Sequence, residues 1–151
     1  MVAIGKGIGN GYPVSVTAIN KATIKELENG TFKYMQSHQN DPLGAAIVNE
    51  VINTIKDDDL ISKAEANGSR FLAMLNTLKE NIKITDVRGR GLMFAVDICD
   101  KNTGDAIFNK LMEKGYIVCN RKSLLRIDPP LTLKEDEFSE FISDFKQILT
   151  P

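Results

Sequence analysis

The sequence predicts an α+β fold, and three observations carry that expectation. Apolar residues recur at three- and four-residue spacing in four stretches after residue 40. Short β-branched runs, "ITDVRGRGLMFAVDIC", "YIVCN" and "SLLRID", fall between them. Glycine or proline marks most of the junctions. The order from residue 41 is helix, helix, strand, helix, two strands, helix, which predicts a compact unit over 41–151 with its own core. Residues 1–40 read as a strand and a loop, with no amphipathic helix strong enough to cover them.

The elements follow in order. "VAIG" reads as a short buried strand and "PVSVTAIN" as a second extended stretch. "KATIKELENGTFKYMQSHQND" is polar and mixed, with a turn at Asn29-Gly30, and reads as a surface excursion. Asp41 is a helix N-cap and Pro42 fits the first helical position, where a missing N–H does no harm. Gly44, Val48, Val51, Ile52 and Ile55 then form one helical face that ends at "KDDD". A second helix starts near Asp59 with Leu60, Ile61, Ala64, Phe71, Leu72, Leu75 and Leu78 on one stripe, and Gly68 predicts a close approach by another element. "ITDVRGRGLMFAVDIC" reads as a turn feeding one central strand. "TGDAIFNKLMEKG" is a helix with Ile107, Phe108, Leu111 and Met112 inward and Gly115 as its stop. After "PPLT", Thr132 and Glu135 predict a capping box, and the last helix buries Phe138, Phe141, Ile142, Phe145, Ile148 and Leu149.

Bulk properties exclude several classes. The 151 residues make one ordinary domain's worth, with 42% hydrophobic and 26% charged residues. A net charge of −1 gives no basic field for nucleic acid. Apolar runs are too short to span a bilayer and no signal-peptide pattern is present, so a cytoplasmic location is expected. Cys99 and Cys119 read as two buried thiols. With one histidine and no CxxC pair, no structural zinc site is expected.

The stretch "VAIGKGIGNGYPVSV" holds the chemistry. Its glycines alternate at 5, 7, 9 and 11, which fits neither the dinucleotide G-x-G-x-x-G spacing nor a Walker A loop. A solvated surface lysine is the plain reading of Lys6. Its context argues otherwise: it follows an apolar strand and precedes a loop whose backbone can approach a planar ligand. A lysine desolvated there, or set near another cation, becomes a nucleophile toward carbonyls.

"IGKGIGNGYPVSVTAI" closely resembles the segment around the cofactor lysine of the class III, pyridoxal-phosphate-dependent aminotransferases, which places Lys6 in that role. "YMQSHQNDPLGAAIVNEVI" looks like the family's hydroxyl-bearing segment and the proline-started helix after it. The resemblance puts Ser37 where a hydroxyl reaches the cofactor phosphate of a neighbouring subunit, with Gln39 beside the cofactor or bracing the loop. "DVRGRGLMFAVDI" is similar to the family's D-V-R-G-x-G-L-M entry, whose arginine, here Arg88, binds a substrate carboxylate; a guanidinium fork matches two carboxylate oxygens. "LLRIDPPLTLKEDEF" resembles the C-terminal motif. His38 invites a base role, but in this chemistry the lysine itself moves the proton.

The resemblance implies the small C-terminal domain of a fold-type I enzyme over 41–151. Residues 1–40 are then a remnant of the large domain carrying the cofactor lysine. It implies pyridoxal 5'-phosphate as cofactor, an amino donor and a keto acid acceptor as substrates, and a homo-oligomer or a complement with a large-domain segment. Family chains are far longer, and this one corresponds to about their last third. The acidic partner of the ring nitrogen, the stacking aromatic and the phosphate-cradling turn fall outside it. The expectation is a fragment without turnover on its own whose first strand packs against a neighbouring copy, by strand pairing or swapping. A catalytically inactive remnant serving as an oligomerisation domain is the alternative.

Overall fold

The computed structural model describes residues 1–31 and 33–150. Backbone contacts gather the chain into two units, Met1–Asp59 and the residues from Leu60 onward.

In the first unit, β1 (Val2–Ile4) pairs antiparallel with β2 (Val16–Ala18), Ala3 opposite Thr17. A 3₁₀ turn over Lys6–Gly9 follows β1. The stretch read as a surface excursion contains a helix, α1 (Lys21–Asn29), whose N-cap Asn20 accepts from the Thr23 amide at 2.9 Å. No residue of α1 is buried. With so narrow an apolar face, the cap was its strongest sequence signal. Helix α2 (Pro42–Asp57) begins as expected, Asp41 Oδ1 accepting from Leu43 N at 3.1 Å. Its buried Gly44 faces Val14: a Cβ built on Gly44 would lie 3.2 Å from Val14 Cγ2.

The second unit packs three helices on one face of a four-stranded antiparallel sheet. In chain order these are α3 (Leu60–Asn76), β3 (Ile84–Arg90), β4 (Met93–Ile98), α4 (Lys101–Glu113), β5 (Cys119–Arg121), β6 (Leu124–Ile127) and α5 (Glu135–Leu149). The sheet order is β3-β4-β6-β5. Two strands therefore stand where the sequence suggested a turn and one strand: Gly91, at φ 54, and Leu92 form a two-residue link that sets Arg90 opposite Met93.

Register sorts the side chains. Val87, Val96 and Leu125 align across the sheet and are buried, as are Phe94 and Ile127. Phe138 of α5 stacks on Phe71 of α3 with ring centroids 4.1 Å apart, and both rings are almost fully buried. Tyr116 meets Phe141 edge-on at 5.0 Å. Gly68 does allow a close approach: a Cβ there would lie within 2.2 Å of the Gly91 carbonyl oxygen.

Four further expectations are corrected. Ile61 is 72% exposed and Met112 41% exposed, so neither belongs to the core. Cys99 and Cys119 are free and exposed. They lie at strand ends where the apolar run turns outward. The last helix starts at Glu135 with Lys134 as its N-cap, and Lys134 N donates to Glu137 Oε2 at 2.9 Å; a lysine side chain has no acceptor to return the bond, so only this half of a capping box forms, two residues later than Thr132–Glu135.

Helix α4 is capped by Asp100, which accepts from Thr103 N at 3.0 Å, Thr103 Oγ1 at 2.7 Å and the Cys99 thiol at 3.3 Å. The Thr103 amide and hydroxyl, then that thiol, hold its carboxyl at about 2.

Candidate functional site

Lys6 stands at the end of β1, in a turn made by its glycines. Asn10 N donates to Gly7 O at 3.2 Å and Tyr12 N to Gly9 O at 2.9 Å. Lys6 itself takes a left-handed backbone, φ 55, as do Asn10 and Gly11 further on. Its side chain is exposed. Among the described residues it has no hydrogen-bond or ion-pair partner, and the desolvation that would favour a nucleophilic amine is not supplied by its own unit.

Ser37 and Gln39 share one turn, in which Gln39 N donates to Gln36 O at 3.2 Å and Asp41 N to His38 O at 3.4 Å. Both side chains are exposed and unpartnered among the described residues. The lysine's turn and this loop converge around a cavity of about 730 Å³, lined by Tyr12, Ser15 and Thr17 on one side and by Gln36, His38 and Asp41 on the other. Lys6, Ser37 and Gln39 do not line it. His38, set aside in the sequence, does.

Arg88 belongs to the second unit, on the sheet face opposite the helices. Its NH1 lies 2.5 Å from Asp97 Oδ2 and 3.0 Å from Asp86 Oδ2, and its NH2 donates to Asp97 Oδ1 at 3.3 Å. These bonds, to Asp97 first and Asp86 second, raise the guanidinium above its ordinary range. Asp86 in turn is lowered, chiefly by Arg88 and then by the Val87 amide.

The register adds a residue that sequence reading left inside a motif. Arg88 lies opposite Ala95, Ala95 opposite Arg126 and Arg126 opposite Cys119, so the four share one row of the exposed face. Arg126 Nε pairs with Asp128 Oδ2 at 2.7 Å. The signal for Arg126 was the alternation of "LLRI", apolar inward at Leu125 and Ile127, but its place beside Arg88 needs the strand pairing. Among the described residues no cluster of acidic, cysteine or histidine side chains suits a metal ion, and no helix is long and apolar enough to cross a membrane.

The model of the family described as Aminotransferase class-III matches residues 1–149. The chain belongs to that family. It is 30% identical over 148 residues to ornithine aminotransferase 1 of Staphylococcus aureus (strain MRSA252), covering 96% of this chain and 36% of the relative. It is 32% identical over 163 residues to ethanolamine-phosphate phospho-lyase homolog 1 of Caenorhabditis elegans, covering 99% of this chain and 35% of that protein. The crystal structure of an amine transaminase from an uncultivated Pseudomonas species, in its PLP-bound form, superposes with a TM-score of 0.86 at 25% identity, over 97% of this chain and 37% of that one. This class III chain thus spans a little over a third of the length of the relatives it matches. Its α+β architecture is that of part of a pyridoxal-phosphate aminotransferase.

Proposed function

We propose that this chain is the C-terminal portion of a pyridoxal-phosphate-dependent aminotransferase that moves an amino group between an amino acid or ω-amino acid and a keto acid. Residues 1–40 carry the cofactor lysine, residues 41–151 form the small domain, and a large-domain segment or further copies complete the enzyme. The observation that carries the reading is Lys6, an exposed and unpaired amine in a glycine turn, within a match to the family over residues 1–149.

The residues present fit the cofactor at that point: a Cβ built on Gly5 or on Gly7 would meet nothing within 4 Å, so space stays open on both sides of the lysine. Lys6 Nζ would be the attachment atom, Ser37 Oγ the hydroxyl offered to the cofactor phosphate of a neighbouring copy, and Gln39 a group beside the cofactor or a brace for its loop. Pyridoxal phosphate, when bound, withdraws electrons from the substrate carbon that bears the nitrogen. Once free, Lys6 Nζ takes a proton from that carbon and returns it elsewhere, as a positioned base and then acid.

Arg88 is the proposed carboxylate ligand. Its fork is already held by two carboxylates, Asp97 and Asp86, whereas Arg126, in the same row, has one carboxylate partner among the described residues, Asp128, and otherwise donates to Met93 Sδ at 3.6 Å. That difference favours a second reading in which Arg126 takes the substrate carboxylate and Arg88 braces the sheet. The likeness to a phospho-lyase supports a second reading of the reaction too, loss of phosphate from an amino substrate on the same lysine.

Incubation of the chain with pyridoxal phosphate, reduction with borohydride and peptide mapping test the core of the proposal. A reduced adduct concentrated on Lys6 and absent from Lys6→Ala supports it. Protein that takes up no pyridoxal supports an inactive, folded remnant instead. Turnover is expected only on supplying the large-domain segment. Keto acid formation then marks transamination and inorganic phosphate from phosphoethanolamine marks the lyase. Comparison of Arg88→Ala with Arg126→Ala shows which arginine raises KM.

A further inference from the structure

The triplet Gly5-Lys6-Gly7 sets its residues against backbone preference. Lys6 has φ 55, in the left-handed region that glycine enters freely and a residue with a Cβ does not. Gly5 has φ −140 and ψ −167, an extended conformation open to any residue. Gly7 is absent from the left-handed glycines Gly11, Gly91 and Gly115. Neither glycine is needed for space, since a Cβ on either meets nothing within 4 Å. The two glycines stand where the backbone does not require them, and the lysine stands where a glycine would sit more easily.

We propose that this triplet is a strained mount for the amine. The left-handed step at Lys6 sets the direction of its Cα–Cβ bond, and the two bare neighbours keep both approaches clear. An exposed lysine with no partner has a long, freely rotating stem, so the backbone is the one constraint its own unit offers. Among the described residues Asn10, Asn40, Asp59 and Lys122 also take a positive φ; Lys6 differs in standing between two glycines, either of which could have taken the left-handed step in its place. The positioning role rests on the cofactor reading above; the strain does not.

Two measurements on the full chain separate these. Hydrogen exchange at the Asn10 and Tyr12 amides, which close the turn, reads local stability. Lys6→Gly should raise their protection about two- to fivefold, the relief of the left-handed penalty less the entropy glycine adds to the unfolded chain. Lys6→Ala keeps the penalty and should leave protection unchanged. Equal protection in Lys6→Gly and wild type overturns the strain, as does an equal gain in both variants.

The second measurement is reductive labelling with pyridoxal phosphate and borohydride, scored at residue 6 against Lys21 and Lys25. Wild type should label Lys6 several-fold faster than those two. The double variant Gly5→Lys/Lys6→Gly has the same composition and should keep the raised protection, yet label residue 5 no faster than Lys21. Undiminished labelling at residue 5 overturns the positioning role. A wild-type chain that does not favour Lys6 overturns the cofactor reading and the positioning role together, with the exchange result still deciding the strain.

Discussion

Arg88 grips Asp97 with both ends of its guanidinium, and the same NH1 that lies 2.5 Å from Asp97 Oδ2 also reaches Asp86 at 3.0 Å. An arginine so engaged has little charge left for an incoming anion. Asp97→Asn should therefore raise affinity for inorganic phosphate by roughly threefold at low salt, the effect of removing one nearby charge in a watery setting. Titration followed by the Arg88 side-chain NMR signal reads this. No gain, or a gain that survives in Asp97→Asn/Arg88→Ala, would show that Arg88 is not the anion's ligand.

Gly68 touches the Gly91 link. Its substitution by alanine brings a methyl into the carbonyl oxygen of Gly91, at a distance no real Cβ tolerates. The helix α3 or the β3–β4 link must shift, at a cost of about 1–3 kcal/mol that outweighs alanine's better helix propensity. Urea denaturation of Gly68→Ala should show a lowered midpoint with an unchanged slope. An equal or higher midpoint would mean that the approach is looser than described.

Phe138 is the hub of the second unit's core, stacked on Phe71 at 4.1 Å and touching Phe94 and Phe141 at 6.0 and 5.7 Å. Phe138→Ala should cost about 3–5 kcal/mol, through lost transfer energy and the cavity left behind. Phe138→Leu keeps most of the volume and should recover about half of that. Parallel denaturation curves test the ordering; equal losses would argue against a packing origin.

Tyr116 Oη donates to Asp144 Oδ2 at 2.8 Å, and Lys114 Nζ lies 2.8 Å from Asp144 Oδ1. Burial first, and the Asp144 bond second, push the Tyr116 phenol from its ordinary 10 up to about 12. Its contribution to stability is therefore complete below pH 10 and lost as pH rises from 10 through about 12. Asp144 is shifted the other way, downward, by Lys114 and then Tyr116, so its contribution is complete above its ordinary value and lost as pH falls below it. Denaturation across pH should show Tyr116→Phe lacking the alkaline loss and Asp144→Asn lacking the acid loss. Wild type and Tyr116→Phe falling in parallel above pH 10 would contradict the assignment.

The long helices α2 to α5 were legible because their apolar positions recur with the helical period over three or more turns. Helix α1 was not, since Ile24 and Leu27 alone give it a face and nothing in it is buried. β3 and β4 read as one strand because Gly91-Leu92 lacks the Asn-Gly signature of a tight hairpin. Hydrophobicity could not say on which side Cys119 and Met112 would lie. For the proposed site, the family resemblance could suggest Lys6, Ser37, Gln39 and Arg88 along the chain. The left-handed backbone at Lys6, the aspartate grip on Arg88 and the row shared with Arg126 depend on dihedral angles and strand pairing, which no run of letters displays.

The ribbon of β1 and β2 has a practical consequence. It is three residues long on each side, both outer edges carry unused amide and carbonyl groups, and Val2 and Ile4 are 59% and 41% exposed. Edges this short give another chain little to pair with, so what the ribbon leaves open is chiefly the apolar side chains of Val2 and Ile4. Lysine at position 2 or 4 is the change that would guard the ribbon's border further, since a charge on an edge strand disfavours pairing with a neighbouring chain.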